Sequence, residues 1–137
     1  MKDTPKFVVG VIGIIRKDDN ILLMHRALTK STNPGKWESV AGKVEFKEHP
    51  NDALLREVKE ESGLNVVINK RPLAIFQAMR GTEPIILLYY LCSYVSGDVT
   101  LSKEHDAYKW ASLQEFKTLC SFNELIEIVD DIFMSNY

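Results

Sequence analysis

The chain has only two cysteines, Cys92 and Cys120, among 137 residues, too few for a disulfide framework. Cys92 sits in an apolar strand-like run and Cys120 in a helix-like one, where reduced core thiols of a cytoplasmic protein are expected. No apolar run approaches the roughly 18 residues that a spanning helix needs. The opening Met1-Lys2-Asp3-Thr4-Pro5 leads directly into a strand-like segment, so neither a signal peptide nor a membrane anchor is expected. Charge of one sign is also scarce: the formal net charge is −2, and no global field recruits nucleic acid or an anionic membrane. No Pro/Gly/Ser linker, repeat or low-complexity tract divides the chain, and residues 1–137 are expected to form one domain.

A composition of 45% hydrophobic and 26% charged residues is that of an ordinary globular protein. Phe7 to Ile15 and Ile21 to Met24, separated by Lys17-Asp18-Asp19-Asn20, read as a hairpin. Ala27 to Lys36 reads as a surface loop, with a turn at Asn33-Pro34-Gly35. The spacing predicts a helix over residues 50–62, with Pro50 at its first position and Gly63-Leu64 as its left-handed stop. Two apolar runs follow, Asn65 to Met79 and Ile85 to Val95; the second is continuous enough for a central strand covered on both faces. A short strand around Trp110 precedes two helices, with Ser112/Glu115 and Ser121/Glu124 each in capping-box spacing. Strands mixed with a few helices imply an α/β sandwich around a mixed sheet.

The chemistry concentrates in Gly42 to Leu64, GKVEFKEHPNDALLREVKEESGL. On the predicted helix Glu57, Glu60 and Glu61 stand at i, i+3 and i+4, beside the apolar arc of Leu54, Leu55 and Val58. Packing these anions together is unfavourable, and more so where solvent is partly excluded. A hard divalent cation offsets that cost: Mg²⁺ takes oxygen ligands from one or two carboxylates and fills its octahedron with water and phosphate oxygens. Arg56, beside Glu57 and one turn before Glu60, offers a planar donor fork to orient a carboxylate. Glu48 precedes the helix, near its positive end.

Gly42, Glu48, Arg56, Glu57, Val58, Glu60, Glu61, Gly63 and Leu64 match G-x5-E-x7-R-E-U-x-E-E-x-G-U, where U is a bulky aliphatic. A chance match in a chain this long is on the order of 10⁻⁸ at average residue frequencies. In this the sequence resembles the Nudix hydrolases, and the resemblance extends from the leading hairpin through Trp37 to Glu104, Trp110 and the closing helix. It implies a Nudix fold, an α/β/α sandwich around a mixed β-sheet, and hydrolysis of a pyrophosphate bond with Mg²⁺, or Mn²⁺. It further implies that Glu57, Glu60 and Glu61 ligate metal with the Ala41 carbonyl, that Arg56 orients Glu57, and that Glu48 assists from nearby. The general base would be Glu57 or Glu104, with Asp106 as substitute; Arg26 resembles a phosphate-contacting position, and Lys43 stands beside it as a substrate-binding candidate. His25, His49 and His105 lack metal-ligand spacing and are expected in ordinary polar roles.

Two departures stand out. Val40-Ala41-Gly42 replaces the Pro-Gly-Gly of many relatives, so Ala41 lacks glycine's freedom at positive φ, and Lys47 replaces a glycine that often precedes the box glutamate. Arg26, Lys30, Pro34-Gly35, Trp37 and Ser39 also resemble the isopentenyl diphosphate isomerase branch. That branch has cysteine where Ala41 stands and histidine where Lys43 stands, which disfavours isomerisation. Features that mark ADP-ribose and dinucleoside polyphosphate hydrolases are missing around Met79 to Thr82. The expected substrate is therefore a nucleoside triphosphate, cleaved to monophosphate and pyrophosphate. The alternatives are another diphosphate, such as a nucleotide sugar, ADP-ribose or a prenyl diphosphate, or a nucleotide sensor without turnover. Phe46, Phe76, Tyr89 and Tyr90 are candidates for stacking on a base, and an exposed edge strand would suit a homodimer.

Overall fold

A computed structural model describes residues 4–135; Met1 to Asp3, part of the predicted opening, lie outside the described residues. The elements are β1 (Val8–Lys17), β2 (Asn20–Arg26), β3 (Trp37–Glu38), β4 (Val40–Lys43), α1 (Pro50–Ser62), β5 (Asn65–Ile68), β6 (Ala74–Arg80), β7 (Glu83–Ser96), β8 (His105–Ala111), α2 (Leu113–Leu119) and α3 (Asn123–Met134). All eight strands join one mixed sheet. Its centre is the parallel pairing of β1 with β7, from Val8↔Ile85 to Arg16↔Ser93.

Strand alternation divides the core between the two faces of this sheet. Ile14, Leu23, Tyr89 and Leu91 pack with Phe116, Leu125, Val129 and Ile132 of α2 and α3. Val11, Ile15, Leu22, Tyr90 and Cys92 pack with Ala53, Leu54 and Val58 of α1 on the other face. The apolar run in β7 is thus covered on both faces, and the α/β/α sandwich is the observed architecture. No helix among the described residues is long and apolar enough to cross a membrane.

One edge of β1 is wholly used by β7, so β2 and β4 share the other. β2 pairs only at Arg16↔Ile21 and Lys17↔Asn20; β4 takes over from Gly10↔Lys43 to Gly13↔Val40. Beyond the hairpin β2 turns to new partners, β3 and β8. This divergence leaves Arg26, at the end of β2, across a cleft from β4.

Three features differ from what the sequence predicts. Residues 37–43, for which no element is predicted, hold β3 and β4, strands too short to carry a readable period. The run from Asn65 to Met79 is broken by Asn69-Lys70-Arg71-Pro72 into β5 and β6, which pair with successive halves of β7. Ser121 does not cap α3: the N-cap is Phe122, extended at φ −117° and without a side-chain cap bond. Ser112 does close a capping box with Glu115.

The Lys109 ammonium, 2.6 Å from Glu115, and then the Ser112 N–H hold the Glu115 carboxyl down from 4.5 to about 2. A depressed pKa stabilises the fold fully above the unfolded value, and that contribution is lost as pH falls through the folded one. Melting temperature should therefore drop more steeply between pH 4.5 and 2 in the wild type than in Glu115→Gln, as read by circular dichroism. The two cysteines lie buried on opposite faces of the sheet. Burial pushes the Cys92 thiol up to about 12 and raises that of Cys120. A disulfide-exchange reagent should titrate neither thiol in the native protein and both after denaturation.

Candidate active site

The carboxylate helix begins and ends as its residues dictate. The His49 ring accepts the Asn51 N–H, Pro50 takes the first position, and Gly63 closes the helix at φ 72°. Ala53, Leu54 and Val58 are fully buried against the sheet, which turns the neighbouring acids toward β4. Of the three, Glu60 is outermost with 59% of its side chain exposed, Glu57 is 14% exposed, and Glu61 is only 3% exposed.

Arg56 organises this edge. Its Nε and Nη2 donate to the two oxygens of Glu48 at 2.9 Å each, and its Nη1 donates to Glu57 Oε1 at 2.8 Å. Nη2 also donates to the Lys43 carbonyl at 3.1 Å, so one planar fork joins α1, β4 and the loop between them. The Arg56 fork, with the Glu45 N–H, lowers the Glu48 carboxyl to about 2, and Glu48 in turn raises Arg56 further above its usual range. A lysine ammonium cannot span these acceptors. Arg56→Lys should lower turnover about 10–100-fold, the usual cost of losing a group that fixes the orientation of a site carboxylate. Steady-state kinetics together with a melting curve check this, since the fold should survive.

Gly42 supplies the space for Glu57. A Cβ at Gly42 would stand 2.1 Å from Glu57 Cδ and 2.3 Å from its Oε1. Ala41 needs no left-handed backbone: among the described residues the non-glycine positive φ values are at Asp18, Asn33 and Lys47. Ala41 pairs with Ile12 in an ordinary strand register, so this position does not call on glycine's freedom at positive φ. The left-handed backbone is instead at Lys47, φ 65°, the second departure seen in the sequence.

A cavity of about 980 Å³ opens beside this edge, lined by Ala41, Gly42, Lys43 and Glu57 on one side and by Arg26 and Glu104 on another. Lys43 Nζ lies 4.0 Å from Glu83. Arg26 Nε donates to the Thr32 carbonyl at 2.6 Å, and Nη1 faces Glu38 at 3.5 Å and Glu104 at 3.9 Å. Ala27 N–H donates to the Glu104 carbonyl at 2.9 Å, fixing the loop that carries this acid. Tyr89, Phe122 and Glu124 form a further wall. Of the aromatic candidates, Tyr90 faces the α1 core, Phe76 packs edge-on against Tyr89, and Phe46 is 92% exposed.

The remaining sequence candidates sort by strand alternation. Asp106 is held by His25 Nδ1 at 2.5 Å and does not line the cavity, so it is not placed as a substitute base. His105, expected in an ordinary role, is buried within the acid cluster: ligand atoms of Glu61, Glu104 and His105 all lie within 4.8 Å of one another. Glu38 escaped the sequence reading, yet its Oε2 meets both Arg26 and His105.

Burial, and then the neighbouring Glu57 carboxylate, holds the Glu61 proton far above the ordinary carboxylate range. Glu61 Oε2 and His105 Nδ1 are buried without hydrogen-bond partners. Orphaned electron-pair donors among crowded acids are what a divalent cation would satisfy, and the residues present fit one.

The NUDIX domain model matches residues 4–131. The nucleoside triphosphatase NudI of Klebsiella pneumoniae is 29% identical over 117 residues, covering 78% of this chain and 83% of that protein. The asymmetrical bis(5'-nucleosyl)-tetraphosphatase of Sus scrofa is 29% identical over 127 residues, covering 86% and 84%. The crystal structure of a MutT protein from Methanosarcina mazei superposes with a TM-score of 0.82 at 26% identity, over 98% of this chain and 99% of that one. With the signature carboxylates gathered around Arg56 at the edge of a cleft, the chain belongs to the NUDIX domain family, among its pyrophosphohydrolases.

Proposed function

We propose that this pyrophosphohydrolase cleaves nucleoside triphosphates to the monophosphate and pyrophosphate, with Mg²⁺ or Mn²⁺ held by Glu57, Glu60 and Glu61 and the Ala41 carbonyl. The observation that carries the reading is Glu57, crowded by Glu61 behind it, at a cavity that also presents Arg26 and Lys43. Carboxylates for a cation and cations for an anion, lining one cavity, suit a polyphosphate.

A divalent cation held by these residues would neutralise charge on the phosphate oxygens and make an attacking water easier to deprotonate. Arg56 keeps the Glu57 carboxylate in a fixed orientation, and Glu48 keeps Arg56 in place. Lys43 and Arg26 hold the phosphate chain, with Arg26 exchanging its contact to Glu104 for a phosphate oxygen. Glu104, 45% exposed, is then free to take the proton of the attacking water, with Glu57 the other candidate for that role. Water adds to one phosphorus, and the bridging oxygen leaves with the other.

The relatives named as a triphosphatase and a tetraphosphatase leave a dinucleoside polyphosphate as the second reading. Gly81 and Thr82 stand where a tyrosine would favour it. A panel with Mg²⁺ separates the two: ordinary and oxidised nucleoside triphosphates, nucleotide sugars, ADP-ribose, dinucleoside polyphosphates and prenyl diphosphates. The highest kcat/KM is expected on a nucleoside triphosphate; a higher value on any diphosphate-linked compound overturns that choice of substrate.

A further inference from the structure

Sequence spacing gave no reason to place a histidine in the metal site, but the fold does. His105 opens β8 directly after Glu104, and alternation turns its ring inward, with the side chain wholly buried. Glu38, on β3, and His105, on β8, both flank β2, which brings together residues 67 positions apart. Their contact, His105 Nε2 to Glu38 Oε2, is 2.8 Å.

An ionised carboxylate is acceptor only, so the shared hydrogen belongs to Nε2. In the neutral ring, Nδ1 then carries a bare lone pair. That nitrogen has no hydrogen-bond partner, nor has Glu61 Oε2, although Nδ1 stands 4.0 Å from Glu61 Oε1. This distance is too long for a hydrogen bond. Glu104 completes the group, its ligand atom within 4.8 Å of both.

We propose that His105 Nδ1 is a metal ligand, forming with Glu61 and Glu104 a mixed nitrogen–oxygen site for a divalent transition-metal ion. Glu38 is its positioning residue: the carboxylate accepts Nε2–H, fixes the tautomer and aims Nδ1, the arrangement that orients ligating imidazoles in metal sites generally. The 3.5 Å approach of the same Glu38 oxygen to Arg26 ties the ring to the residue facing the cavity. The nitrogen alters which ion is preferred. Mg²⁺ keeps to oxygen ligands, whereas first-row transition-metal ions accept an imidazole nitrogen, Fe²⁺, Ni²⁺, Cu²⁺ and Zn²⁺ most readily and Mn²⁺ least. The site therefore prefers Mn²⁺ over Mg²⁺ more strongly than an all-carboxylate site would. This inference rests on the metal-dependent reading of Glu61 and adds a nitrogen to it; with Glu104 ligated, the role of general base passes to Glu57, the other candidate for it.

The test is pulsed electron paramagnetic resonance of Mn²⁺ bound to the whole protein, without substrate, with its three histidines carrying either ¹⁴N or ¹⁵N. The expected result is a histidine nitrogen coupling that changes with the isotope and disappears in His105→Gln, whose amide can still donate to Glu38. In calorimetric titration, His105→Gln should weaken Mn²⁺ about 10-fold or more, with a smaller effect on Mg²⁺. Bound Mn²⁺ without histidine coupling in the wild type overturns the inference and leaves the metal-dependent hydrolase standing. Failure to bind Mn²⁺ at all overturns both. The wild-type spectrum decides the matter even if the variant does not fold.

Discussion

Glu61→Gln is expected to hydrolyse its substrate about 10²–10³-fold more slowly than the wild type, while melting at the same temperature or higher in the absence of metal. Glu61 is the deepest of the signature acids, 3% exposed, and burial is the largest reason that it holds a proton far above the ordinary range. Glu57, Glu104 and Glu38 add their charges to the same effect. A raised carboxyl pKa has a definite sign in stability. Above the unfolded value the native state binds the extra proton, so stability falls as pH rises toward the folded pKa. Glutamine keeps the side-chain shape and removes that liability together with the carboxylate proposed to hold the metal, the usual opposition of function and stability at a site. Glu60→Gln should share the loss of activity without the gain, because Glu60 is 59% exposed and its charge is already solvated. Product release and melting in EDTA, measured on the same preparations, check both. A Glu61→Gln protein with wild-type turnover would remove Glu61 from the metal site.

Gly42→Ala is expected to lower turnover about 100-fold, the scale on which misplacing a catalytic group costs an enzyme. The new Cβ would lie 2.4 Å or less from Glu57 Cγ, Cδ and Oε1, inside any real contact distance. Either β4 shifts or the carboxylate leaves the position in which Arg56 holds it at 2.8 Å. The carboxylate end is the softer of the two, and the cavity beside it gives it room. Melting should therefore change little while kcat falls, and a metal titration should show weaker binding. Unchanged kcat would mean that the observed Glu57 conformation is not the working one.

The carboxylate helix was legible because its signals are local. Pro50, the i, i+3, i+4 acids and Gly63 lie within one element, and their helical geometry follows from their spacing. The capping box at Ser112 was legible for the same reason, and Ser121 shows the limit of that signal. Ser121 has the same serine-to-glutamate spacing, but its chain stays extended through Phe122, whose ring packs into the α2–α3 core. Tertiary packing moved the helix start by one residue.

What was not legible depends on contacts between distant strands. Glu38 belongs to a two-residue strand with no periodicity of its own, and it matters only because β2 divides its partners between β3 and β8. His105 meets Glu38 and Glu61 across β8, β3 and α1, a juxtaposition that no spacing rule encodes. The backbone at Ala41 was not legible for a related reason: pairing with Ile12 holds Ala41 in a strand, and the left-handed residue lies six positions later, at Lys47.

The most direct measurement follows a nucleoside triphosphate by ³¹P nuclear magnetic resonance in the presence of the protein, first with Mg²⁺ and then with the metal chelated by EDTA. Nucleoside monophosphate and pyrophosphate are expected with Mg²⁺, and no turnover is expected with EDTA. Diphosphate and inorganic phosphate as products, turnover that persists in EDTA, or no turnover with Mg²⁺ would contradict a metal-dependent nucleoside triphosphate pyrophosphohydrolase.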